Sequence, residues 1–353
     1  MTEYTVSKFF PSDKTGNEKI DELLNAEGIR RDGNLDYTCA IYDDEMNVIA
    51  TGSCYENTLR CMAVSRDYQG EGLMNIIVTH LMEVEHSRGN SHLFLYTKCE
   101  SAKFFGDLGF SEIARIENRL VFMENRKHGF SQYLSQLKTS SPNISVDKNI
   151  TVSGLVMNAN PFTLGHLYLV EKAASESTLL HLFIVSEDAS LIPFKVRRQL
   201  VLDGTAHIKN ICYHDSGPYI ISNATFPSYF QNDSTDIITG HAMLDLTIFL
   251  KIASSLGITR RYVGEEPNSQ VTGIYNQIMQ EKLTGAGIDC LIIPRKQSAG
   301  APISASTVRT SIKNNDYELL KLLVPQTTFD YFMSDAADDI VKKIQTTENV
   351  IHY

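Results

Sequence analysis

The stretch Thr151–Ala173, TVSGLVMNANPFTLGHLYLVEKA, constrains the fold of this chain more than any other. Val152 to Met157 is an apolar run of strand character, closed by the polar turn Asn158-Ala159-Asn160-Pro161. Thr163-Leu164-Gly165-His166 comes next, followed by apolar residues at helical spacing: Leu167, Leu169, Val170, Ala173 and Ala174. A strand, a tight turn and a helix N-terminus make an anion site, because free N–H groups and the positive end of the helix dipole face the turn. Thr163 and His166 supply two donors on the first helical turn. Gly165 between them lets a phosphate or a base approach the backbone.

A second segment, Ile303-Ser304-Ala305-Ser306-Thr307-Val308-Arg309, lies about 140 residues downstream. Together the two resemble the T/HxGH and ISSTxxR signatures of the nucleotidyltransferase superfamily. Ala305 and Ser306 depart from the second signature, and Met157 stands where the longer GxFDPxTxGH consensus has Gly. The resemblance implies an α/β domain that binds ATP at the first motif and attacks its α-phosphate. It places Thr163 and His166 on the nucleotide phosphates, with Asn158, Asn160 and Gly165 beside them. Ser304, Ser306 and Arg309 would meet the departing phosphates, Arg309 with a guanidinium able to grip two oxygens. The alternative for His166 is a helix-capping or partly buried histidine, and for Arg309 a surface helix charge. Lys195 reads equally as a group reaching the triphosphate or as a solvated helix start. Glu265 and Glu266, after Arg261-Tyr262-Val263-Gly264, are candidates for adenine, ribose or magnesium. Magnesium is expected only because a triphosphate is; no metal-ligand set is legible.

At 353 residues two domains are expected, and 42% hydrophobic residues suffice for real cores. The net charge of −10 argues against a general nucleic-acid or anionic-membrane surface. No run reads as a spanning helix and MTEYTVSKFF lacks a signal core, so a cytoplasmic protein without membrane contact is expected. Six cysteines without a CxxC pair indicate neither a zinc site nor a disulfide framework.

The expected division is a first domain over 1–137, a polar linker over 138–149 (KTSSPNISVDKN) and a second domain over 150–353. In the second, strands at Leu179–Val185, Arg261–Gly264 and Ile288–Ile293 alternate with helices at Val196–Ala206, Ala242–Leu256 and Val271–Leu283. That alternation implies parallel βαβ units, a Rossmann-like sheet with ligands at its carboxyl ends. Asp316–Ile344 reads as short helices broken by Pro325.

In the first domain, strands over Tyr37–Val64 lead into Gln69-Gly70-Glu71-Gly72-Leu73-Met74 and a helix carrying Ile76, Ile77, Leu81 and Val84. This resembles the GNAT acyltransferase fold, an α+β domain in which Q/RxxGxG/A opens a helix against the pyrophosphate of coenzyme A. Met74 replaces the last Gly or Ala. Leu93–Thr97 and Ala102-Lys103-Phe104-Phe105-Gly106-Asp107-Leu108-Gly109-Phe110 match that family's later strand and FYxxxGF helix. The implied coenzyme A or pantetheine contacts are Gln69, Gly70 and Gly72.

A GNAT-like block followed by TxGH and ISASTVR resembles the citrate lyase ligase family, as do FPSYF at 226–230, LDLTIF at 244–249 and VGEEP at 263–267. That resemblance implies adenylation of acetate by ATP, then acetyl transfer to the prosthetic-group thiol of the citrate lyase acyl carrier subunit. Two other readings stay open: a nucleotidyltransferase of cofactor biosynthesis fused to an independent acetyltransferase, and a non-enzymatic acyl-CoA and nucleotide sensor. The GxSxG, HExxH and P-loop patterns are absent.

Overall fold

Predominantly apolar, buried strands such as Val152–Met157 and Leu179–Ile184 belong in a sheet covered on both faces, and they build one. The structure, a computed structural model, describes residues 4–143, 150–220, 226, 234–265, 270–298 and 300–348. Its chain divides into two units, one of Met1–Gln132 with Pro227–Leu244, the other of Tyr133–Phe226 with Asp245–Tyr353. Of the expected features, 144–149 of the linker, 227–230 of FPSYF, and Glu266 and Pro267 lie outside the described residues.

The first part of the chain runs β1 (Val6–Phe9), α1 (Lys14–Ala26), β2 (Tyr37–Tyr42), β3 (Val48–Tyr55) and β4 (Thr58–Val64). It continues with α2 (Leu73–Ser87), β5 (Phe94–Thr97), α3 (Ala102–Asp107), β6 (Ser111–Ile116), β7 (Leu120–Glu124) and α4 (Gly129–Ser140). The sheet order is β1-β2-β3-β4-β5-β7-β6, antiparallel except at β4·β5. Gly52 is packed closely by α2: a Cβ there would meet Ile77 at 2.5 Å and Leu81 at 2.9 Å. This is the α+β class expected.

The rest of the chain holds β8 (Val152–Met157), α5 (Leu164–Ser175), β9 (Leu179–Ile184), α6 (Phe194–Thr205), β10 (Ile211–Asp215) and α7 (Ser234–Leu256). Then come β11 (Arg260–Gly264), α8 (Gln270–Gly285), β12 (Asp289–Ile293), β13 (Gln297–Ser298) and β14 (Ala301–Pro302). Four short helices close it: α9 (Ala305–Lys313), α10 (Tyr317–Leu323), α11 (Gln326–Phe332) and α12 (Asp338–Thr346). The sheet β10-β9-β8-β11-β12 is parallel throughout. Strand order reverses between β8 and β11, so the crevice for a ligand opens at the carboxyl ends of those two strands. One core joins Leu155, Met157, Val170 and Ala173 to Leu200 and Val201. A second seats the start of α9 by packing Ile303, Val308 and Ile312 on Leu191 and Ile192.

Two sequence expectations change. A helix long and apolar enough to cross a membrane does exist, at Asp236–Leu256 within α7, and more than half of its most apolar stretch is buried inside the protein. Leu246, Phe249, Ile252 and Ala253 are fully buried, and Phe249 lies 3.1 Å from where a Gly154 Cβ would stand on β8. Its apolar face covers the sheet. Strands β1, β6, β7 and β10 were not legible either. β10 reads Ile-Cys-Tyr-His-Asp, and pairing with β9 rather than local apolar pattern makes it a strand.

Candidate active site

The turn after β8 delivers Thr163 as the N-cap of α5, with its side chain accepting the His166 N–H at 3.2 Å. The Thr163 N–H returns the bond to His166 Nδ1 at 3.1 Å, closing a capping box in which the histidine takes the usual place of Glu or Gln. A backbone N–H can only donate, so Nδ1 is the acceptor and the neutral ring carries its proton on Nε2. Desolvation first, then the Arg295 charge, pushes the His166 pKa down to about 4. His166 therefore caps its helix with one nitrogen and offers a fixed N–H with the other. The ring is held in orientation by stacking on Phe162, at 5.9 Å between centroids and 16° between planes.

A second helix start lies against the first. Ser304 caps α9 by accepting the Thr307 N–H at 3.0 Å, and its hydroxyl also meets Ser306 at 2.8 Å and Thr307 at 2.7 Å. A Cβ on Gly165 would stand 3.3 Å from the Ile303 carbonyl oxygen, so a side chain there would crowd the junction. The caps satisfy the N–H groups of His166 and Thr307, while the first two helical N–H groups at each start point onward. Between them opens a cavity of about 160 Å³ lined by Thr163, Gly165, His166, Glu265, Arg295, Lys296, Ser304 and Ala305, among others. Two positive helix ends, an imidazole N–H and two cationic side chains face one small space. Such an arrangement is chemically suited to anionic groups.

Of the residues expected at the nucleotide, Thr163, Gly165, His166, Glu265 and Ser304 line the cavity, and Ser306 is one hydrogen bond away. Asn158, Asn160, Lys195 and Arg309 do not line it. Asn158 binds Ser190 at 3.1 Å, and the buried Asn160 accepts the Ile192 N–H at 3.2 Å. Lys195 stands exposed on the first turn of α6. Arg309 is buried and donates to the Asn160 carbonyl at 2.6 Å, its pKa lowered to about 10 by desolvation. It braces the turn that carries Thr163.

Three residues were not singled out from sequence. Arg295 and Lys296 follow β12, so Pro294-Arg295-Lys296 directly after an apolar strand was the available signal. Arg197, wholly buried, donates to the carbonyls of Asn158 at 2.7 Å, Val185 at 2.8 Å and Ile192 at 2.9 Å, and so ties the loop after β8 to the loop after β9. A charge buried this deep on the first turn of α6 has no local sequence signature.

The first unit carries a separate cleft of about 790 Å³. Parallel β4 and β5 pair at Thr58↔Phe94 and Leu59↔Leu95, and beyond that pairing Met62, Ala63 and Val64 of β4 and Tyr96 and Thr97 of β5 line the cleft. Gln69, Gly70 and Gly72 close one end, with Gly72 as the N-cap of α2 at φ 79°, a conformation costly for any side chain. With no side-chain cap there, the first N–H groups of α2 face the cleft. Met74 lines it too.

Comparison with known proteins gives the following. Residues 152–332 match the citrate lyase ligase C-terminal domain. The [citrate [pro-3S]-lyase] ligase of Escherichia coli (strain K12) is 36% identical over 330 residues, 91% of this chain and 92% of that protein. The enzymes of that name from Haemophilus influenzae and Klebsiella pneumoniae are each 35% identical, over 88% and 93% of this chain and 93% and 95% of their own. Among solved structures, a GNAT-family acetyltransferase from Staphylococcus aureus Mu50 aligns over 35% of this chain and all of its own, at 14% identity and a TM-score of 0.30. An N-acetylglutamate synthase from Neisseria gonorrhoeae, complexed with coenzyme A and N-acetyl-glutamate, aligns over 36% of each chain at 15% identity and a TM-score of 0.30.

Proposed function

The chain belongs to the citrate lyase ligase family, and from that membership we propose that it adenylates acetate with ATP and passes the acetyl group to the prosthetic-group thiol of a citrate lyase acyl carrier subunit. The observation that carries the adenylating step is the paired helix start at Thr163 and Ser304 around one cationic cavity.

An acetate oxygen attacks the α-phosphorus. The bond from that phosphorus to the bridging oxygen breaks, and pyrophosphate leaves with the electron pair. Charge grows on the departing phosphates, where the His166 Nε2–H, the free N–H groups of α5 and α9, Arg295 and Lys296 are already fixed in place. Arg197 and Arg309 hold the loops that carry these groups. Magnesium would accompany the triphosphate, with Glu265 as the carboxylate among the described lining residues; one carboxylate plus phosphate oxygens and water suits that ion. In the second step the thiol sulfur attacks the acetyl carbonyl, its proton is lost to solvent, and the carbon–oxygen bond to AMP breaks.

The first-unit cleft suits the carrier's arm. Beyond their pairing, β4 and β5 leave an extended slot for a pantetheine chain, and the Gln69–Gly72 turn with the start of α2 suits its phosphate. Domain limits near 1–137 and 150–353 belong to the same proposal, one holding the thiol and the other the adenylate. The family relationship does not favour the dinucleotide-forming alternative.

The deciding experiment is exchange of labelled pyrophosphate into ATP. Exchange that needs acetate and no carrier protein supports the proposal. Exchange indifferent to acetate, or needing a phosphorylated co-substrate, overturns it.

A further inference from the structure

We infer that His181, Cys212 and His214 form a binding site for one borderline-soft metal cation of the zinc class, at the β10 edge of the parallel sheet. None of the three lines the adenylating cavity. Cys212 on β10 pairs in register with His181 on β9. Strand alternation returns His214 to the same face two residues on. Their ligand atoms lie within 4.8 Å of one another, with His181 Nδ1 and His214 Nε2 at 2.8 Å. Phe183, on the same face, stacks on His214 at 4.8 Å between centroids and limits its movement.

The donor set chooses the metal. Two imidazoles and a thiol suit zinc, whereas magnesium and calcium want oxygen ligands. Both rings are buried, and imidazole ligates in its neutral form. Zinc bonds of about 2.0–2.1 Å to nitrogen and 2.3 Å to sulfur in a tetrahedron put ligand atoms roughly 3.3–3.6 Å apart. The two nitrogens would part by about half an ångström and the sulfur would draw in by up to about one, which side-chain torsions supply. The Ser140 carbonyl and the Ser141 hydroxyl accept from Cys212 Sγ at 3.8 and 3.9 Å, so either oxygen or a water is available to the fourth position. Binding replaces the single His–His hydrogen bond and clips the edge strand β10 to β9. On binding, the thiol gives its proton to solvent, and no redox change is involved.

The test uses the full-length, tag-free, chelator-treated chain titrated with Co²⁺ as probe. The expected result is one cobalt per chain with a thiolate-to-cobalt charge-transfer absorption, displaced by one equivalent of Zn²⁺. Cys212→Ser should abolish that absorption while leaving acetate-dependent exchange unchanged, which also reports that the variant is folded. His214→Gln should keep the absorption but weaken cobalt binding by more than the roughly 10–100-fold that losing an outer-shell partner costs. Absence of cobalt uptake by the unaltered chain, the absorption persisting in Cys212→Ser, or unchanged affinity in His214→Gln would each overturn the assignment.

Discussion

His166 has two roles that one substitution can separate. Its Nδ1 accepts the Thr163 N–H at 3.1 Å, and its Nε2–H is the donor left for phosphate. In His166→Asn the side-chain oxygen stands near the place of Nδ1 and keeps the cap, while nothing reaches the place of Nε2. Losing one fixed donor to a developing oxyanion removes about 3–4 kcal/mol of transition-state stabilisation, so exchange should fall about 10²–10³-fold. Stability should hold within roughly 0.5 kcal/mol, as for a change that preserves its contacts. His166→Ala should lose the same activity plus about 0.5–2 kcal/mol of stability from the broken cap. The assays are acetate-dependent pyrophosphate–ATP exchange and urea unfolding on the same preparations. His166→Asn turning over within threefold of the unaltered chain would refute the reasoning and leave His166 as a cap alone.

Arg309→Ala should cost roughly 1–3 kcal/mol by urea unfolding, because it removes the bond to the Asn160 carbonyl in a buried setting; an unchanged midpoint would show that the turn needs no brace. Arg295→Ala should raise the Michaelis constant for ATP and flatten its salt dependence, since a cation facing the cavity is lost; unchanged nucleotide kinetics would remove it from the site. Gly72→Val forces a β-branched residue to φ 79° at the cleft mouth and should impair acetyl transfer to the carrier while exchange persists. Equal loss of both activities would mean the cleft is not the thiol's dock. Finally, His166 has a folded pKa near 4, below its unfolded value of about 6.5, so the unfolded chain binds the proton first. Stability should be flat above pH 7 and decline as pH falls from about 6.5 to 4; a urea midpoint constant across that window would count against a desolvated, neutral ring.

Local sequence was sufficient wherever structure is made by neighbours along the chain. The run Val152–Met157, the Thr163 and Ser304 caps and the left-handed Gly72 are each set by near neighbours along the chain, so strand, helix starts and anion-binding turns were legible. The alternation of strands and helices after residue 150 likewise carried the parallel sheet. What crosses the chain was not legible. The strand character of β10 comes from β9, and α7, apolar enough for a bilayer, has much of its apolar stretch buried inside the protein, with Phe249 packed against β8. Arg197 and Arg309 look in sequence like helix-surface charges, yet each is buried because carbonyls from distant loops converge on it. Arg295 and Lys296 meet His166 only because strand order reverses between β8 and β11 and brings the loop after β12 to that crevice. Hydrogen-bond caps and periodicity are short-range and survive in one dimension. Burial and convergence of charge depend on which strands become neighbours, and that is decided only when the sheet forms.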